Sequence, residues 1–134
     1  MNLEPLSDRE QALYITRGNA AAADCLMMLT KILYVWDDLI DRDKPVADEA
    51  INQTFFWALV DLPSNPFFVA HRAHLIPVIA NSITNWHAAN EMERNTTHVP
   101  LDLEIAFIIR SEYINILIEI ARICGGNDWA REAA

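Results

Sequence analysis

Apolar residues recur at three- and four-residue steps along most of the chain, the spacing that lines one face of an α-helix. Only three glycines occur, two of them adjacent at Gly125–Gly126, and strand-rich chains need more turn glycine than that. The pattern predicts an all-α fold, a single-domain bundle of five to six helices over residues 1–134.

The first helix starts at Ser7, where a Ser-x-x-Glu capping box with Glu10 satisfies free amides. It runs to about Arg17, with Gly18–Asn19 as its stop or sharp bend. The second runs from Asn19, as N-cap, to about Asp41, with Ala22, Leu26, Leu29, Leu33, Trp36 and Ile40 on one face. Asp43-Lys44-Pro45 ends it, because the residue before proline avoids helical angles. The third covers about Asp48 to Leu62, with Ile51, Phe55, Ala58, Leu59 and Leu62 as its predicted buried stripe. A turn follows at Pro63-Ser64-Asn65-Pro66, where Asn65 reads as an N-cap and Pro66 as the first helical residue.

The fourth helix extends to about Arg94 and carries Pro77, which predicts a kink or break near His74–Leu75. Asn95 to Pro100 reads as a polar loop. The fifth spans about Leu101 to Cys124, with Ile105, Ile108, Ile109, Ile116, Ile120 and Ile123 apolar, and Gly125–Gly126 stops it. Asn127 to Ala134 adds a short amphipathic turn through Trp129.

A chain of 134 residues, 52% of them hydrophobic and 22% charged, fits one globular domain. It can bury roughly two-thirds of its unfolded surface, enough for a core without staples. Ten Lys and Arg stand against 19 Asp and Glu, a net charge of −9. Such a surface repels nucleic-acid backbones and anionic membranes, which are bound by neutralising phosphates with basic residues. The basic residues form no stripe, so neither nucleic acid nor membrane is an expected partner.

Cys25 and Cys124 sit far apart in apolar helical segments, the pattern of reduced, buried thiols. Residues Met1 to Arg9 lack the cationic and apolar regions of a secretory signal. The longest apolar stretches are broken by Arg110, Glu112 and Glu119, far short of a membrane span. The expected compartment is the cytoplasm.

One cluster changes this plain picture. Asp37, Asp38, Asp41 and Asp43 crowd the end of the second helix. Residues three and four apart are neighbours on a helix, so Asp37, Asp38 and Asp41 lie close together. They also stand at the helix's negative pole, where each carboxylate is disfavoured by roughly 0.3–1 kcal/mol. Like charges one turn apart add a further penalty of about 0.2–0.5 kcal/mol. A hard cation relieves that crowding, because Mg²⁺ takes oxygen ligands and keeps waters and phosphate oxygens beside one or two carboxylates. The alternative is a solvated helix end partly neutralised by Arg42 and Lys44. Both readings stay open on the sequence.

The run Asp37-Asp38-Leu39-Ile40-Asp41, on a helix entered through apolar and aromatic residues, resembles the first aspartate-rich motif of the all-α isoprenoid (terpenoid) synthase superfamily. The resemblance implies a reduced fold of that kind, with Mg²⁺ clamping a substrate diphosphate. It implies Asp37 and Asp41 as the leading metal ligands and Asp38 in support. The likeness covers about a dozen residues. The family's second metal motif, in its Asn, Ser/Thr and Glu form at four-residue steps, is broken at Asn81, Asn85 and Ala89, and Glu93 is reached one turn later. The chain is also much shorter than a complete catalytic domain of that family.

A second polar face accompanies the fourth helix. Ile76, Ile79, Ile83 and Trp86 form its predicted apolar side, and Asn81, Thr84, Asn85, His87 and Glu91 gather opposite. His87 and Glu91, four apart, are within reach of a hydrogen bond. One expectation sets Asn85 and Glu91 opposite Asp37 and Asp41 as ligand-binding residues; the other makes this an ordinary solvent face. Arg72, Arg94, Arg110 and Lys44 are candidate phosphate contacts, with Arg94 nearest the polar face. The sequence thus predicts Mg²⁺-dependent binding of a diphosphate or other phosphorylated ligand, with no reaction assigned. The competing class is a non-catalytic helical interaction module, a homodimer, with a solvated acidic helix end.

Overall fold

The three helix starts that the sequence marks with a capping side chain are all helix starts in the computed structural model, which describes residues 7–42, 44–94 and 114–134. The Ser7 hydroxyl accepts the Glu10 amide at 3.1 Å and opens α1, Asp8–Ile15. The Asn19 side chain accepts the Ala22 amide at 3.0 Å and opens α2, Ala20–Asp41. After α3, Asp48–Phe56, a π-helical turn at Trp57–Asp61 and the short α4, Leu62–Ser64, lead to α5, Pro66–Arg94. Asn65 caps α5 by accepting the Phe68 amide at 3.0 Å, with Pro66 in the first position as expected. The last helix, α6, covers Ile114–Ala133. Among the described residues there is no strand, so the fold is all-α.

The chain divides into two compact units, Met1–His71 and Arg72–Ala134. In the first, α2 is the central element, with α1, α3, the π turn and α4 all packed against it. The predicted face of α2 is the buried one: Ala22, Leu26, Leu29 and Leu33 are buried, and Trp36 and Ile40 half-buried toward the far end. Burying a leucine side chain is worth about 1.5–3 kcal/mol, so this stripe dominates the unit's stability. Arg17 and Gly18 take successive left-handed conformations, with φ of 54° and 82°. There the Gly18 amide reaches back to the Leu13 carbonyl at 2.8 Å, a Schellman-type closure that folds α1 back onto α2. The buried Thr16 hydroxyl donates to the Ala12 carbonyl at 2.8 Å. An Arg9–Asp24 ion pair links the two helices at the surface.

The stripe predicted for α3 is corrected by the structure. Ile51 and Ala58 are half-buried and Leu62 is buried, but Phe55 is 59% and Leu59 71% exposed. The inward line runs through Ile51, Thr54, Trp57, Ala58, Asp61 and Leu62, so Phe55, still within regular α3, and Leu59 each stand one position off it. The chain then passes through the π turn, where the Leu62 amide reaches the Trp57 carbonyl, five residues back. Pro63 follows at once. It has no amide for the Leu59 carbonyl, and its ring would crowd that carbonyl in a tight α turn. Widening the turn accommodates it. Lys31 lies over the Trp57 ring, 5.6 Å from its centroid, which fastens this turn to α2.

In the second unit, α5 continues through Pro77 without the expected break. Proline removes one intrahelical hydrogen bond, and here the helix tolerates that loss. Its buried line also differs from the prediction. Leu75, Ser82, Trp86, Ala89 and Asn90 are buried, whereas Ile76 and Ile83 are exposed. Ser82 is tolerated inside because its hydroxyl is satisfied by the Val78 carbonyl at 2.9 Å. On α6, Ile116 and Ile120 are buried and Ile123 half-buried, as predicted. Gly126 interrupts α6 with φ 88° and ψ 178°, after which a short helical segment resumes and places Ala130 inside. The predicted positions Ile105, Ile108 and Ile109 and the loop Asn95 to Pro100 lie outside the described residues. Cys25 is buried and Cys124 half-buried, and neither forms a disulfide; burial pushes the Cys124 thiol up. No described helix is long and apolar enough to cross a membrane.

Asn65 offers a direct test of how the first unit is held. Besides capping α5, its side-chain amide donates to the Ala21 carbonyl at 3.0 Å. Asn65→Ala is expected to lower stability by about 1–2 kcal/mol from the cap alone, and further through the stranded carbonyl. Asn65→Ser, which retains a cap acceptor but is too short for Ala21, should recover part of the loss. Urea unfolding of the three proteins measures this, and an unchanged Asn65→Ala midpoint would refute it.

Candidate functional site

The aspartates sit where the helix runs out. Asp37, Asp38 and Asp41 occupy the last turn and a half of α2, and all three are half-buried. Arg42 ends the helix in a left-handed conformation, φ 58° and ψ 25°, with its amide on the Asp38 carbonyl at 3.1 Å. Glycine or asparagine usually fills such a position, because a Cβ crowds the following carbonyl by about 1–2 kcal/mol. The strain turns the chain away from the helix axis at the acidic end. Asp43 lies outside the described residues.

Beyond this turn is a wide-mouthed concavity of about 340 Å³, lined by Asp38, Leu39, Arg42, Lys44, Pro45 and Val46. Its wall is mixed. Leu39, Pro45 and Val46 give it apolar surface, and Asp38, Arg42 and Lys44 bring one negative and two positive side chains. Lys44 Nζ stands 3.6 Å from an Asp38 oxygen, with the lysine 68% and the aspartate 36% exposed. An ion pair this exposed contributes about 0–1 kcal/mol, so Lys44 is readily exchanged to another anion. Of the cations considered from sequence, Lys44 lines the concavity, Arg72 is exposed on α5, Arg110 lies outside the described residues, and so does the side chain of Arg94.

Among the described residues, no group of three or more His, Cys, Asp or Glu side chains is disposed to hold a metal ion. The fit to Mg²⁺ therefore rests on two carboxylates rather than a closed cage of three. Asp37 and Asp41 are one turn apart on the same side of α2, and two carboxylates match what Mg²⁺ ordinarily takes from a protein when phosphate oxygens and waters supply the rest. Asp38 is engaged by Lys44.

The second polar group belongs to the other unit. Asn85 is half-buried, and Asn81, Thr84, His87 and Glu91 are exposed along α5. His87 Nε2 lies 3.4 Å from a Glu91 oxygen, as their spacing predicts, with both side chains 74% exposed. On α6, Arg122 pairs with Glu119 one turn before it, the arginine side chain 44% and the glutamate 17% exposed.

Val46 is the lining residue that the sequence reading passes over, because residues after a helix end follow no periodic pattern; Leu39, Arg42 and Pro45 entered it only as part of the aspartate run, a neutralising charge and the helix stop. Comparison of the chain with protein-family models, with curated proteins and with solved structures gives no match.

The strained helix end is separable from any ligand chemistry. Arg42→Gly should raise stability by about 1 kcal/mol by relieving the left-handed Cβ clash. Lys44→Gln should change it by less than about 1 kcal/mol, the upper value for an exposed pair. Thermal unfolding without added ligand measures both. A destabilised Arg42→Gly would show that the guanidinium, not the backbone, holds this turn.

Proposed function

We propose that the end of α2 binds a phosphorylated small molecule, a diphosphate above all, together with Mg²⁺. The observation that carries this reading is the concavity at the end of α2, which joins Asp38, two cations and apolar surface, with the half-buried Asp37 and Asp41 as neighbours of Asp38 on the helix, outside that lining. Asp37 and Asp41 hold the ion, whose charge relieves their crowding at the negative pole of the helix. Lys44 and Arg42 face the phosphate oxygens, and Leu39, Pro45 and Val46 take the less polar part of the ligand. Mg²⁺ on Asp37 and Asp41 clamping a diphosphate is what resemblance to the isoprenoid synthase superfamily implies for Asp37-Asp38-Leu39-Ile40-Asp41. The proposal is for binding and assigns no reaction.

Thermal melts test it directly. Millimolar Mg²⁺ with pyrophosphate should raise the unfolding temperature, since a ligand at a hundred times its Kd adds about 2.7 kcal/mol to a state that alone binds it. Asp37→Asn and Asp41→Asn should remain folded and lose the rise. A wild-type protein indifferent to both components would refute the reading.

A different observation favours a second reading, a non-catalytic helical module that pairs two copies of the chain. Phe55, Phe56, Leu59 and Val60 are all exposed on α3 and the π turn, and contiguous apolar surface of this kind marks interaction sites. Sedimentation velocity should then find a dimer in the parent protein and a monomer in the Phe56→Glu/Leu59→Glu variant. A parent protein that stays monomeric at high micromolar concentration removes this alternative and leaves the first untouched.

A further inference from the structure

We draw no further inference here: the strongest candidate, the Lys44–Asp38 ion pair in the concavity beyond α2, belongs to the site already described and adds no ligand chemistry of its own.

Discussion

A single buried amide organises the first unit. Asn65 occupies the corner between α4 and α5, accepts the Phe68 amide and donates to the Ala21 carbonyl of α2. One side chain therefore starts one helix and fastens it to another. Asparagine carries an acceptor and a donor on one planar group and is short enough to cap. Because α1, α3 and α4 pack on α2 as well, the tie at Ala21 sets where α5 begins relative to the stripe of Ala22, Leu26, Leu29 and Leu33. The left-handed pair Arg17–Gly18 plays the corresponding part at the other side, returning α1 to the same helix.

Much of this was legible in the sequence because it depends on neighbours along the chain. Caps at Ser7, Asn19 and Asn65, the stop at Gly126 and the apolar face of α2 are local signals with local causes. What failed was the choice of inward side between adjacent positions. Phe55 and Leu59 were expected inside as the more apolar residues, and Thr54 and Ala58 take the inward line instead. On α5 the inward side was expected to be the more apolar one. Ser82 shows why composition alone misleads: a hydroxyl that finds a carbonyl one turn back can be buried at little cost. Pro77 was expected to kink or break a helix near His74–Leu75, and of the two the break does not occur, since α5 runs on through it.

The candidate site divides in the same way. The aspartates could be read directly, since residues one turn apart on a helix must be neighbours. The concavity could not, because its other wall comes from Lys44, Pro45 and Val46, which lie beyond the end of any periodic element. The placement has an electrostatic logic. Carboxylates at the negative end of a helix are held against their preference, and cations gathered there moderate the field without abolishing it. Lys44 already answers Asp38 in this way, and its weak hold leaves the acidic end responsive to a stronger cation.

The π turn stores a residue without changing how the helical path faces its neighbours. Trp57–Asp61 takes up what amounts to one surplus residue within a continuous helical path. A single-codon deletion inside it would restore the tighter repeat and leave the residues before Trp57 facing as they do now relative to Leu62. The consequence falls within the turn itself, where Trp57 meets Lys31 and where the ring of Pro63 would again crowd the Leu59 carbonyl.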